Sequence, residues 1–322
     1  MPTTRKKILS LIGATTACAM LLVLPQEARS QQLFWASGSG GDEPDRIQTS
    51  MFDGSGVSTI YDGLNNPIGL AVDPANNHIY ISENATDGRV LRGSLDGSAP
   101  LETLVTGAAD FAQELRFDSG SNQLFWATFA DGIFRADTDG SNVQNIVPQP
   151  NNERYTSLEV DGAGEQLFFS NPSTGTGWVS DFDGTITSEV EDYFSDNWVT
   201  NSLLFDDGDL YFPEGNEVIL SDLQRTSDTV LDDASALALG MALSPDGNTL
   251  FWSDRVDVDG DRSGSFIRAL DLTDPNADSI ELVSGVTDPW GIAAIPEPST
   301  YVLIFALGAG ALVLVRRRFA KK

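Results

Sequence analysis

Cysteine, histidine and lysine are almost missing from this 322-residue chain, and each absence excludes a chemistry. Its only cysteine, Cys18, lies inside an N-terminal apolar run. Once that run is removed as a leader, neither a disulfide framework nor a cysteine nucleophile remains. The only histidine, His78, stands in a turn, so a His-dependent triad and a multi-histidine metal site are both excluded. Positive charge is scarce and sits at the ends. Residues 31–295 hold 10 basic groups, all arginine, against 45 acids, a net of −35. A phosphate backbone needs a positive footprint, so nucleic acid is not an expected partner. An acidic surface is soluble, self-repelling and rich in hard oxygen ligands for cations.

The two ends read as addresses. Arg5, Lys6 and Lys7 precede an apolar stretch from Ile8 to Leu24, and Ala28-Arg29-Ser30 places small residues at the −3 and −1 positions of a cut before Gln31. Residues 1–30 are therefore expected to be a secretory signal peptide. Thr15 stands where a lipoprotein signal would want leucine ahead of Cys18, which argues against lipidation. At the other end, residues 296–322 begin Pro296-Glu297-Pro298, continue as an apolar run from Tyr301 to Val315, and end in Arg316, Arg317 and Arg318 with Lys321 and Lys322. As a helix that run reaches about 22 Å, short of the roughly 30 Å hydrocarbon core, so its fit relies on flanking residues. The basic cluster fixes its end on the cytoplasmic side. A plain single-pass tail anchor would share these physical features.

Between the ends, one short aromatic pattern occurs six times. The copies are Leu33-Phe34-Trp35-Ala36-Ser37, Ile79-Tyr80-Ile81-Ser82-Glu83, Leu124-Phe125-Trp126-Ala127-Thr128, Leu167-Phe168-Phe169-Ser170-Asn171, Leu210-Tyr211-Phe212-Pro213-Glu214 and Leu250-Phe251-Trp252-Ser253-Asp254. Their first residues are 46, 45, 43, 43 and 40 positions apart. Apolar and aromatic with a polar end, each suits a strand packed on both faces. Each of the last five follows another short strand, such as Gly69 to Asp73 or Leu115 to Asp118, across a hairpin-type connection. A third strand closes in Asp-Gly-Ser or a variant at Asp53, Asp96, Asp139 and Asp183, a marker that copies five and six lose, and a fourth strand follows. Four strands in about 40–45 residues is the period of a propeller blade. The first copy lacks a preceding strand, but Trp290 to Ile295 supplies one at the far end. The expected fold is all-β: a six-bladed β-propeller over 31–295, closed by pairing its N- and C-terminal strands so that no sheet edge is left open.

Two resemblances follow from these residues. The motif strand, the Asp-Gly-Ser turn and the inner strands Pro67-Ile68-Gly69-Leu70-Ala71 and Pro289-Trp290-Gly291-Ile292-Ala293 resemble the YWTD blades of low-density-lipoprotein-receptor-type propellers across residues 33–295. None of the six copies is a perfect YWTD, so the resemblance implies a fold rather than a ligand. The C-terminal order of Pro-Glu-Pro, a short membrane segment at 301–315 and an arginine cluster resembles the PEP-CTERM sorting signal. That implies recognition by an exosortase at the envelope of a Gram-negative, exopolysaccharide-making bacterium, with membrane anchoring before processing.

Chemistry-bearing positions are few. The loops after the first and sixth motif strands break the repeat with Asp42, Glu43 and Asp45, and with Asp257, Asp259 and Asp261. Leaving equivalent strands of neighbouring blades, they are expected to meet on one face, where oxygen-rich, glycine-hinged loops can hold Ca²⁺. Arg255 at the first ligand position and the missing closing glutamate exclude an EF-hand. The recurring Asp73, Asp118, Asp161 and Asp206 read as turn-formers. Trp35, Trp126 and Trp252 read as core, whereas Trp178, Trp198 and Trp290 are open to lining a groove. The expected function is a non-catalytic binding scaffold for a protein or polysaccharide at the cell surface or in an exopolysaccharide matrix. The alternative is a calcium-dependent lactonase-type or strictosidine-synthase-like hydrolase with a channel site, for which Glu114 and Asn201 are candidates. Fold alone does not choose between them.

Overall fold

The computed structural model describes residues 31–295, apart from 39–43, 130, 150–153, 172, 191–201, 224 and 234. The described chain contains strands and turns and no helix. Strands β1 (Gln32–Ser37), β2 (Arg46–Met51) and β3 (Ser58–Asp62) are followed by a second group, β4 (Pro67–Asp73), β5 (His78–Glu83), β6 (Arg89–Ser94) and β7 (Glu102–Thr106). The third group is β8 (Ala112–Asp118), β9 (Gln123–Thr128), β10 (Gly132–Asp137) and β11 (Gln144–Pro148). The fourth is β12 (Ser157–Asp161), β13 (Gln166–Asn171), β14 (Thr176–Asp181) and β15 (Ile186–Val190). The fifth is β16 (Leu204–Asp206), β17 (Asp209–Glu214), β18 (Glu217–Asp222) and β19 (Thr229–Asp232). The last is β20 (Ala238–Leu243), β21 (Thr249–Asp254), β22 (Ser265–Asp271) and β23 (Ile280–Val286), before the closing strand β24 (Pro289–Ile295). They form six antiparallel four-stranded blades, and blade one has the order β24-β1-β2-β3. Its seam pairs Gln32 with Ile295, Leu33 with Ala294, Phe34 with Ala293 and Trp35 with Ile292, the closure the sequence called for.

The repeated aromatic strands are the second strand of every blade, and both of their faces are buried because each blade is covered by its two neighbours. Trp35, Trp126, Trp252, Tyr80, Phe34, Phe125, Phe169, Phe212 and Phe251 are all under 2% exposed. The core is therefore a series of layers between blades. One layer joins Leu33 and Trp35 to Phe251 and Ile267, and another joins Phe125 to Tyr155, Leu158 and Phe169. Buried indoles must still satisfy their N–H groups. Trp126 Nε1 donates to Ala108 O at 2.8 Å, Trp252 Nε1 to Ser235 Oγ at 3.0 Å and Trp35 Nε1 to Gln48 Oε1 at 3.3 Å.

The Asp-Gly-Ser marker clasps one blade to the next. In each turn the aspartate accepts hydrogen bonds from the residue two on; Asp53 Oδ1 takes Ser55 N at 2.9 Å and Ser55 Oγ at 2.6 Å. The intervening glycine has positive φ and lies against an outer-strand carbonyl of the preceding blade. Gly54 meets Leu282 O, Gly97 meets Ile60 O, Gly140 meets Leu104 O and Gly184 meets Ile146 O, with no room for a Cβ. Arginines on the third strand reach the same turns: Arg92 Nη1 donates to Thr138 O at 3.0 Å and Arg135 Nη1 to Phe182 O at 2.9 Å.

The inner strands approach one another unevenly. A Cβ on Gly240 would meet Trp290 O, one on Gly291 would meet Ile68 O, and one on Gly69 would meet Gln113 O, so β20, β24, β4 and β8 lie tightly side by side. Motif-strand serines lock this arc. Ser82 Oγ accepts from Gly69 N at 2.9 Å and donates to Gln113 O at 2.8 Å; Ser253 Oγ does the same for Gly240 N and Trp290 O at 2.8 and 2.7 Å. Beyond β8 the glycine gives way to Glu114, and the ring opens around charged side chains.

Candidate functional site

The six inner strands surround a central channel, and the residues facing it differ by blade. Blades six, one and two contribute Ala242, Ala293 and Ala71 at equivalent positions, where blades three and four place Arg116 and Glu159. Arg116 Nη1 binds Glu114 Oε1, Nε donates to Glu159 Oε2 at 2.8 Å, and Nη2 donates to Leu203 O at 3.1 Å. One guanidinium thus spans blades three, four and five. Burial drives the Glu114 carboxyl up from 4.5 to about 7; Arg116 opposes this and the Glu159 charge adds to it. Burial also raises Glu159 against the pull of Arg116. For Arg116 itself, burial works against its charge, but the two carboxylates outweigh burial and keep it protonated. The channel wall below this triad forms a cavity of about 310 Å³, mostly apolar, with Arg116, Glu159 and Asp206 as its charged members.

Of the two channel candidates read from sequence, Glu114 is thus committed to Arg116, and Asn201 lies outside the described residues. Acids ending the motif strands are committed too. Glu83 is bidentate with Arg89 at 2.6 and 2.8 Å, Glu214 pairs with Arg225 at 2.9 Å, and Asp254 accepts Ala236 N, Leu237 N and Arg268 Nε at 2.8, 3.0 and 2.6 Å. Inner-strand aspartates cap their turns as expected in three cases. Asp73 accepts Asn76 N, Asp118 accepts Gly120 N and Ser121 N, and Asp161 accepts Ala163 N and Gly164 N. Asp206 differs: its hairpin closes through Asp207 and Gly208, both with positive φ, and its carboxylate has no hydrogen bond or ion pair among the described residues.

The acidic loops occupy the opposite end, where the inner strands begin. Asp42 and Glu43 lie outside the described residues. Asp45 accepts from Asn66 N; burial raises its pKa, as do the charges of Asp288 and Glu83. In the other loop Val258 pairs with Asp261 across a tight turn, with Asp259 and Gly260 at positive φ. Asp257 accepts Arg262 Nε at 2.8 Å and Gly260 N at 2.9 Å, and Asp261 accepts Ser263 N at 2.9 Å; these bonds hold both carboxyls below the usual range. Arg262 also reaches Asp288 at 3.2 Å, beside Arg255 at 3.5 Å. Among the described residues no three acid or histidine side chains converge as a metal cage. Trp178 packs into the core, stacked on Phe169 at 5.7 Å, Trp198 lies outside the described residues, and Trp290 lies under the Arg255 guanidinium at 4.9 Å.

Fold and site together define a six-bladed β-propeller of four-stranded blades with a charge-plugged channel. The family model for the PEP-CTERM protein-sorting motif matches residues 294–318. The chain is accordingly an exported protein processed by an exosortase at the cell envelope. Pro296, Glu297, Pro298, the 301–315 segment and Arg316 to Arg318 lie outside the described residues, as does the leader at 1–30. Among solved structures, the chain is similar to one in the crystal structure of a nidogen/laminin complex, with a TM-score of 0.64 and 16% identity over 82% of this chain and 98% of that one. It is also similar to TolB from Acinetobacter baumannii, with a TM-score of 0.65 and 14% identity over 83% of this chain and 67% of that one. At such identities the likeness is one of fold.

Proposed function

We propose that this protein is a non-catalytic interaction scaffold, displayed at the cell surface or released into an exopolysaccharide matrix, that binds a protein or polysaccharide through its loop face. The observation that carries this reading is the channel. Its convergent charged groups, Glu114, Arg116 and Glu159, are bound to one another, and most of the remaining wall is apolar or small. A metal-dependent hydrolase would need three or four acid or amide side chains converging with free ligand atoms. The nidogen chain of similar fold is found in a complex with laminin, which supports a propeller disc of this shape serving as a binding platform. Inner strands run from the loop face to the opposite face, and the sorting segment follows the end of β24. Before processing, the loop face therefore points away from the membrane.

The test pairs two assays on the full chain in nonionic detergent. Co-sedimentation with exopolysaccharide from the producing cells is expected to retain the protein, and a panel of lactones and aryl esters, with and without calcium, is expected to show no turnover above background. Turnover that disappears in Glu114→Gln would overturn the scaffold reading in favour of a channel enzyme.

A further inference from the structure

The channel cavity has a polar side and an apolar side. Arg116, Glu159 and Asp206 come from blades three, four and five, whereas Leu70 to Val72, Met241 to Leu243 and Ile292 to Ala294 form the facing wall. Charge on the polar side does not balance: one guanidinium pairs with Glu114 and Glu159, and a third carboxylate, Asp206, lines the same cavity. Arg116 is already engaged by two carboxylates and the Leu203 carbonyl. An ionised carboxylate offers about four acceptor positions. Glu159 uses two, for Arg116 Nε and Val160 N, and Asp206 uses none among the described residues. The equivalent Asp73, Asp118 and Asp161 are bound to their own turns, so blade five alone among these four turns its carboxylate loose at the cavity rim. At about 310 Å³ the space is at the small end of ligand sites, which run from about 300 to 1,000 Å³.

We propose that this cavity, at the ends of the inner strands opposite the acidic loops, binds a small amphipathic amine. Its ammonium group lies against Glu159 and Asp206 and its hydrocarbon body against the Ala242, Ile292 and Val72 wall. A carboxylate ligand would meet two like charges and an arginine already committed, and a neutral alkane would leave the Asp206 carboxylate without a partner. The inference goes beyond the scaffold reading, which concerns the other face and the lack of turnover, and either can fail without the other.

The experiment is calorimetric titration of n-hexylammonium into the full chain in nonionic detergent at about pH 8, where the amine is protonated. Hexanol and hexanoate serve as neutral and anionic comparators. Saturable hexylammonium binding is expected, at least about tenfold tighter than either comparator, with Asp206→Asn weakening it about fivefold or more. Asp206 is exposed, so that variant is expected to keep the native melting temperature. Equal binding of hexanol, no saturation by about 10 mM amine, or unchanged affinity in a folded Asp206→Asn protein would each overturn the assignment.

Discussion

Replacing Glu114 by glutamine removes half of a buried ion-pair set, yet it is expected to stabilise the protein at neutral and alkaline pH. Glu114 is 3% exposed, and burial, opposed by Arg116, takes its carboxyl from 4.5 to about 7. A folded-state pKa above the unfolded value means that the contribution to stability is fully present below 4.5 and is lost as pH rises through 7. At about 1.4 kcal/mol per pH unit, ionising this buried acid costs about 3 kcal/mol once pH exceeds 7. Glutamine resembles the protonated acid: it still accepts from Arg116 and has no charge to dehydrate. Native and Glu114→Gln proteins are therefore expected to match near pH 4.5, and the variant to be more stable near pH 8 by about 3 kcal/mol, or about 5 °C in melting temperature for a domain of this size. Melts across this pH range measure the difference directly. A variant that melts below the native protein near pH 8 would refute the reasoning, because the attraction to Arg116 would then exceed the cost of burial.

The inter-blade clasp gives a paired prediction. Gly184→Ala, at φ +89 against Ile146 O, is expected to cost about 2–4 kcal/mol, while Gly208→Ala, at φ +100 in open space, costs about 1; denaturant melts compare them. At the acidic loops Arg262 already holds Asp257 at 2.8 Å, so a calcium site there competes with it. Calcium titration of Arg262→Ala is expected to show tighter binding than the native chain, in the roughly 10⁻⁴–10⁻³ M range of extracellular modules. Equal, undetectable binding by both would remove calcium from these loops. Replacing Pro296, Glu297 and Pro298 with alanine is expected to leave unprocessed, membrane-associated protein, read by gel mobility after cell fractionation. Brief proteolysis of spheroplasts bearing that unprocessed form is expected to nick the loop at 255–264 before the inner-strand turns.

Much of the fold was legible because its signals are local. Aromatic strands such as Leu124 to Thr128, hairpin pairs such as Asp207-Gly208 and the orphan strand Trp290 to Ile295 each carry their meaning within a few residues. The Asp-Gly-Ser turns were legible as markers, but their clasping role was not, because Gly97 finds Ile60 and Gly54 finds Leu282 across a blade boundary. The channel was legible least. Glu114 stood out as an acid on an inner strand, while its partners escaped notice since Glu159 lies a full blade away. A signal was nonetheless present: aligning inner strands across blades sets Arg116 and Glu159 against Ala71, Ala242 and Ala293. The same alignment sets Asp206 among the turn-forming aspartates, and only its two-residue hairpin, closed by Asp207 and Gly208 at positive φ, sets it apart from the longer turns that the other three cap.

The two halves of the ring obey different physics, and this explains why its polar groups gather where they do. From β20 through β24 and β4 to β8, three glycines let neighbouring backbones touch, and serine hydroxyls bridge the first and last of these junctions, so no space remains for a side chain. From β8 through β12 to β16 the glycine is absent, and the gap is filled by the longest charged side chain in the channel, Arg116. A guanidinium so placed requires acids around it, because a buried charge without partners costs several kcal/mol. Two buried carboxylates answer one guanidinium and Asp206 adds a third negative group, so the excess charge is relieved by a proton on a buried carboxyl or by a cation from outside. Acid therefore lowers the channel's surplus charge and alkali restores it, so an amine drawn there by Glu159 and Asp206 binds more tightly as pH rises through 7 until the amine itself loses its proton.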